Sequence, residues 1–425
     1  MRGDSDIQIN RVDWIAVSIY FALVLIGWIN IHAAVFDSQN PKTIFDLSIN
    51  SGQQFVRIGI SVVLIILIMV ADYRFFENLS LFIYFFFIGL LVVTPFIGKE
   101  VNGQVLSIGF GSFRIQPGEF AKLATALALA KVMERPTFDL TKTKNQAAAF
   151  GVLLLPIALI LLQPDTGTAM VYFSFLLMFY REGLPQWYYV LGFGMVAVTL
   201  LGLGIENNLI LVGAIALIVI LLSLLGRKSL KKTLVFSIIG IGLVAYIYSL
   251  DFVVSKLPPH QQNRIMVLFN PNIDPLGVGW NVTQSKIAIG SGGLLGKGYL
   301  EGTQTKFDFV PEQHTDFIFC TLGEEFGWIG SFVVISLFTA LLYRLVVMAE
   351  RQKTRFSRIY GYGVVSILLF HFMINIAMTI GLFPVVGIPL PFFSYGGSSL
   401  WSFTVLLFIF IKLDSSRASQ LGRLN

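Results

Sequence analysis

Asp274 is the acid best placed to react, in the string Asn270-Pro-Asn-Ile-Asp-Pro-Leu-Gly-Val-Gly279. Prolines and glycines there pin the backbone and keep bulky neighbours off the carboxylate. A carboxylate left free in this way is a candidate for chemistry. The Asp274-Pro275 pair reads equally as a turn opener. Arg264, Lys286 and Lys297 lie in the same stretch and could face an anionic group; each alone also fits an ordinary solvated loop cation.

Three further strings carry charge beside apolar runs. In Gly111-Ser-Phe-Arg114-Ile-Gln-Pro117-Gly-Glu119-Phe-Ala-Lys122, Pro117 and Gly118 suit a helix start. Glu119 and Lys122 then fall one turn apart on one face. A charged pair at the edge of hydrocarbon is costly unless it faces an interior cavity, so it reads as a substrate cavity or as a structural salt bridge. In Leu162-Gln-Pro-Asp165-Thr-Gly-Thr-Ala169, Asp165 either caps a helix or faces a cavity, and the two roles can coexist. In Pro311-Glu-Gln-His314-Thr-Asp316-Phe317, His314 has no second histidine near it in sequence. His260 is distant, and His32 and His371 fall in apolar segments, so a dedicated transition-metal site is not expected, while a transient Mg²⁺ or Mn²⁺ between a carboxylate and a pyrophosphate stays open. A last string runs Asn375 to Ser399 and contains Ser394, Tyr395, Gly396 and Gly397. Its prolines and glycines break a helix at membrane depth and free backbone groups, which must then line protein or water.

The elements that hold these residues are membrane spans. Of 425 residues 55% are hydrophobic and 13% charged, against about 25% charged in soluble domains. That excludes an ordinary soluble fold, a disordered chain and a collagen-like one. The net charge of +6 does not indicate nucleic acid, because the basic residues cluster in short connectors between apolar runs. One cysteine, Cys320, excludes an internal disulfide and a thiolate cluster, and its apolar setting suits packing. The first apolar stretch exceeds a signal-peptide core. Ala33-Ala34 is a weak cleavage cue, and the stretch is read as a span.

Segments of about 20 apolar residues predict about twelve spans. They lie near 13–35, 55–71, 79–97, 118–133, 148–163, 166–181, 187–205, 208–225, 231–250, 316–345, 359–382 and 392–412. With all of them real, every basic cluster falls on one side: Arg2 and Arg11, Arg74, Arg135 to Lys144, Arg181, Arg227 to Lys232, Arg351 to Arg358, and Lys412 to Arg423. Both termini are then cytoplasmic. The expected class is an all-α polytopic membrane protein, one membrane domain over 1–425, with a large extracytoplasmic loop at 251–315. Residues 281–289 are mildly amphipathic, consistent with a short interfacial helix.

Taken together the strings resemble the shape, elongation, division and sporulation family (RodA, FtsW, SpoVE). The resemblance rests on 381–399, 274–285, 311–319, 163–169 and 116–122, which are long, ordered and spread over most of the chain. Gln284 to Gly293, Gly296-Lys-Gly and Gly302-Thr-Gln lean toward the rod-shape branch. Gly118 stands where the family usually has serine, and Thr166 where leucine is common. The family usually has ten spans, so 187–250 reads as additional helices. The resemblance implies a peptidoglycan glycosyltransferase that polymerises lipid II on the outer face of the bacterial cytoplasmic membrane, releasing undecaprenyl diphosphate. It implies a class B penicillin-binding protein and other elongation-complex proteins as partners, and no tightly bound cofactor. It gives Asp274 the place of the essential loop aspartate, Glu119 and Lys122 that of the cavity pair, and Asp165 that of a nearby acid. Asp274 is then the expected base, or else a ligand for a divalent ion serving the diphosphate, and Lys122, Arg114 and Arg264 are the candidates to meet phosphates. A lipid II flippase and a non-catalytic cell-wall scaffold are the rival readings; polymer formation in detergent separates the enzyme from the flippase, and a scaffold predicts that an Asp274 variant still supports growth.

Overall fold

The computed structural model describes residues 12–101, 104–110, 113–205, 207–225, 230–270, 273–274, 277–306 and 309–417. The chain divides into two compact units, Met1–Leu184 with Asn281–Asn425, and Pro185–Trp280. The first unit begins with α1 (Trp14–Ala34), α2 (Asn50–Val70) and α3 (Tyr73–Ile97). A small antiparallel sheet follows, made of β1 (Lys99–Val101), β2 (Gln104–Phe110) and β3 (Phe113–Ile115) in the order β1-β2-β3. Next come α4 (Pro117–Met133), α5 (Thr143–Leu161), α6 (Thr166–Val171) and α7 (Phe175–Arg181).

The second unit holds α8 (Trp187–Gly204), α9 (Asn208–Leu225), α10 (Leu230–Lys256) and α11 (Pro259–Met266). The chain continues through α12 (Val278–Ser291), α13 (Thr303–Lys306), α14 (Ile318–Glu350), α15 (Arg355–Thr379) and α16 (Gly397–Ser415). The 251–315 loop is thus largely short helices, and α12 covers the amphipathic stretch expected at 281–289. Arg2, Arg11, Pro271, Asn272, Pro275, Leu276, Arg227, Lys228 and Arg423 lie outside the described residues, as do the side chains of Lys231 and Lys232.

Nine helices among the described residues are long and apolar enough to cross a membrane. Three expected spans differ from that form. Pro117–Met133 has 17 residues, is alanine-rich and carries Glu119, Lys122 and Lys131. It packs against α3, α5, α15 and α16 as the buried centre of the first unit, where small side chains let helices approach closely. Residues 166–181 are broken by a 3₁₀ turn at Tyr172–Ser174. Asn208–Leu224 is apolar but falls just short of spanning length.

Two spans contain proline, which removes an N–H and leaves the carbonyl four residues back without its helical partner. Another element supplies the donor in each case. Pro95 in α3 orphans Leu91 O, which accepts from Gln163 Nε2 at 2.7 Å. Pro156 in α5 orphans Val152 O, which accepts from the Tyr84 hydroxyl at 2.9 Å.

A third break lies in α14 at Gly327, whose φ of 62° suits glycine. The glycine-rich run after α12 fills it. Lys297 N donates to Glu324 O (3.0 Å), Gly298 N to Glu325 O (3.0 Å), and Trp328 N to Gly293 O (2.9 Å). A Cβ on Gly296 would lie 2.0 Å from Glu325 O, so that approach requires glycine. The Glu324 carboxylate is fully buried and receives Lys297 Nζ (2.7 Å), the N–H groups of Thr303, Gln304 and Thr305, and two threonine hydroxyls. Lys297 is therefore the counter-ion of Glu324 rather than a loop cation facing outward.

The charged connectors expected on one side do meet in the first unit. Arg344 and Arg351 bind Asp13, and Arg351 and Arg417 bind Asp414. Arg355 and Arg358 bind Glu182, and Arg181 binds Glu350. Burial pushes the Asp13 carboxyl up, but hydrogen bonds from Arg344 and the Ala16 N–H, with the charges of Arg344 and Arg351, hold its pKa below the ordinary value.

Replacing Gln163 with Leu, or Tyr84 with Phe, leaves a buried carbonyl unpaired. Each should cost about 1–3 kcal/mol, read as a lower unfolding midpoint of the purified protein in detergent. Because the folded pKa of Asp13 is depressed, its contribution is full above the unfolded value of about 4 and is lost as pH falls through the folded one. Asp13→Asn should therefore melt earlier than wild type at neutral pH, and the gap should close on acidification below that window.

Candidate active site

In the first unit the charged pair lies inside the helix cluster. Pro117 opens α4, and one turn of helix sets Glu119 Oε2 3.0 Å from Lys122 Nζ, with side chains only 6% and 2% exposed. Lys122 Nζ also lies 2.9 Å from His371 Nε2 on α15 and 5.1 Å from the Phe403 ring on α16. The ammonium thus has a carboxylate, an imidazole and an aromatic face beside it, from three helices. Ser402 Oγ, on α16, lies 3.5 Å from Glu119 Oε2 and 3.0 Å from Ser399 O, which is the better placed to take its single hydrogen.

The non-helical stretch between α15 and α16 lies next to this pair. Asn375 Nδ2 donates to Ile388 O and Asp316 O, each at 2.8 Å. Ser394 Oγ accepts from Leu390 N (2.8 Å) and donates to Thr315 O (2.7 Å). Tyr395 N donates to His314 O at 2.9 Å, and the His314 and Tyr395 rings are 5.4 Å apart. Ser394 and Tyr395 therefore fasten the stretch to the start of α14, and His314 belongs to that fastening.

Arg57, in α2, lies over the Tyr395 ring at 4.2 Å. Its NH1 reaches Gln54 Oε1 at 3.4 Å, and among the described residues no acid pairs with it. Gly396 N donates to the same Gln54 oxygen (3.4 Å), and a Cβ on Gly397 would lie 3.3 Å from Arg57 Nε. Ser398 Oγ donates to Arg114 O (3.1 Å) and accepts from Gln116 N (3.0 Å), so β3 joins the start of α16. The Arg114 side chain is exposed. Asp165 Oδ1 caps α6 through Thr168 N (2.9 Å), and its Oδ2 accepts from Gln116 Nε2 (3.2 Å). Capping and proximity to the 116–122 string coexist. Lys286 is exposed on α12, with its ammonium stem against Gly381.

In the second unit Asp274 stands before α12. Its Oδ2 accepts from Val278 N (3.1 Å) and from Asn263 Nδ2 on α11 (3.3 Å). Both donors hold the carboxylate in one orientation at the helix start. Arg264 follows Asn263 on α11 and is half-buried. Among the described residues no three His, Cys, Asp or Glu side chains converge. A divalent cation would find one carboxylate at Asp274, which fits only a cation whose other ligands are substrate oxygens and water.

Sequence reasoning passed over Arg57, placed His371 only in an apolar segment, and named Asn375 only as the start of the broken string. Each is a polar residue inside an apolar run, where the energetic cost of such groups makes a functional or partner-satisfying role the default. That was the available signal.

Fold and site together define a polytopic helical membrane protein with a buried ionic pair beside a broken helix and a short-helix segment bearing an oriented aspartate. The family model for cell cycle proteins of the FtsW, RodA and SpoVE type matches residues 13–207 and 187–419. The chain belongs to that family. The peptidoglycan glycosyltransferase RodA of Treponema pallidum is 34% identical to it, covering 98% of this chain and 99% of that one. The peptidoglycan glycosyltransferase MrdB of Escherichia coli K12 is 33% identical, over 89% and 88%. A chain from a solved peptidoglycan synthase complex, concerned with the coordination of polymerization and crosslinking, superposes with a TM-score of 0.70 at 26% identity, over 96% and 98%.

Lys122→Met strands the Glu119 carboxylate and should destabilise the protein by about 3–5 kcal/mol. The double variant Glu119→Gln/Lys122→Met removes both charges and should recover most of that loss. Unfolding midpoints of the three proteins in one detergent check both statements.

Proposed function

We propose that the protein is a peptidoglycan glycosyltransferase of the rod-shape type, polymerising lipid II in the bacterial cytoplasmic membrane. The observation that carries this reading is the match along almost the whole chain to a protein of that name, in a fold that brings a buried ionic pair beside the broken stretch. Both termini are then cytoplasmic, and the segment holding Asp274 is extracytoplasmic.

In the reaction the 4-hydroxyl of an acceptor sugar attacks the anomeric carbon of a donor. The hydroxyl proton passes to Asp274, the new C–O bond forms, and the bond to the diphosphate breaks with its electrons on the leaving oxygen. Val278 N–H and Asn263 aim the carboxylate. Cationic side chains must meet charge growing on the diphosphate. Arg114 and Arg264 are candidates, Arg57 joins them because no acid among the described residues neutralises it, and Lys122 would have to exchange one of its present partners for a phosphate oxygen. In the alternative role Asp274 would hold Mg²⁺ or Mn²⁺, which would supply positive charge to the diphosphate. A class B penicillin-binding protein would crosslink the product, with other elongation-complex proteins alongside.

Asp274→Asn keeps an oxygen able to accept from Val278 N–H, so the start of α12 and the unfolding midpoint should survive. Polymer formation from purified lipid II should fall by about 10²–10⁴. Normal glycan chains from this variant would refute the role. Wild-type protein that moves lipid II between vesicle leaflets without making polymer in detergent would favour the flippase.

A further inference from the structure

His371 is fully buried in α15 and bonded at both ring nitrogens: Nε2 lies 2.9 Å from Lys122 Nζ, and Nδ1 lies 3.2 Å from the Pro389 carbonyl. A carbonyl can only accept, so Nδ1 carries the hydrogen. An ammonium can only donate, so Nε2 must present its lone pair. Only the neutral Nδ1–H imidazole satisfies both. An imidazolium would set N–H against N–H, and the other tautomer would leave Pro389 O facing a lone pair. Glu119 Oε2, 3.0 Å away, is the counter-charge of the Lys122 ammonium, since a buried charge requires an opposite one beside it. The ring plane is fixed by Phe403, edge-on with centroids 4.8 Å apart at 82°.

Pro389 lies in the stretch between α15 and α16 that Asn375 and Ser394 fasten to the start of α14. The histidine therefore spans from that stretch to the ammonium. We propose that His371, as a neutral Nδ1–H imidazole, is a positioning residue that fixes Lys122 against Glu119 and ties its location to the Pro389 backbone. The role in turnover rests on the glycosyl-transfer reading above. His371 itself exchanges no proton with substrate.

A glutamine amide presents an acceptor and a donor at similar spacing to the two ring nitrogens, and phenylalanine presents neither. His371→Phe should lower kcat by about tenfold or more while KM for lipid II moves less than about threefold. His371→Gln should restore most of that loss, with a pH–rate profile like wild type. Full turnover by His371→Phe overturns the proposal, as does His371→Gln that melts like wild type yet is as slow as His371→Phe, the result expected of a proton-transfer residue.

¹⁵N-histidine NMR of the whole protein in detergent gives a reading independent of turnover. The chain has four histidines, so the His371 signal is assigned by its loss in His371→Gln. It should show the neutral Nδ1–H form across about pH 6 to pH 8, with an Nε2 shift that moves in the double variant Glu119→Gln/Lys122→Met. An imidazolium, the Nε2–H form, or an Nε2 shift indifferent to Lys122 overturns the proposal even where His371→Phe does not fold. Absence of polymer from wild-type protein would instead sink the glycosyl-transfer reading and leave this spectroscopic test standing.

Discussion

A lysine ammonium inside a helix cluster must be fully partnered, and much of the first unit is arranged around meeting that requirement for Lys122. Glu119 provides the charge, His371 a lone pair, and Phe403 an aromatic face, each from a different turn or helix. A pair of this kind costs about 3–5 kcal/mol when one member is removed, a large share of the roughly 5–15 kcal/mol that holds a folded protein together. The alanine-rich sequence of α4 follows from the same requirement. Helices can surround the pair closely only where the side chains between them are small.

The second pervasive constraint is that membrane-embedded backbone cannot leave its polar groups unbonded. The chain breaks regular helix at Pro95, at Pro156, at Gly327 and between α15 and α16. At each break a side chain or a glycine-rich segment replaces the lost partners. Three of the breaks are purely structural. The fourth, fastened by Asn375, Ser394 and Tyr395, lies beside both Arg57 and the buried pair, which marks it as the one open to a functional use.

Helix positions were largely legible in the sequence, because a run of about 20 apolar residues matches the thickness of hydrocarbon that a helix must cross. The strings at 116–122, 163–169 and 381–399 were legible too, and the structure gathers them in the first unit. The sheet before α4 was not. Its period-two pattern in Gln104-Val-Leu-Ser-Ile-Gly-Phe110 is short and lies between stronger helical signals, although Asn102-Gly103 is a hairpin-type dipeptide in sequence. The roles of Lys297 and His371 were hidden for another reason. Their partners, Glu324 and Lys122, are 27 and 249 residues away, and no periodicity reports such pairings. Residues 166–181 read as one span because hydropathy does not register the 3₁₀ turn at Tyr172–Ser174.

The bond from Gln163 to Leu91 O makes two distant positions answerable to one another. With any ordinary residue in place of Pro95, Leu91 O would regain its own helical donor and the glutamine amide would become the buried group in want of a mate. Neither member is well tolerated without the other, so among relatives the proline on α3 and the amide before α6 should be inherited or lost as a couple.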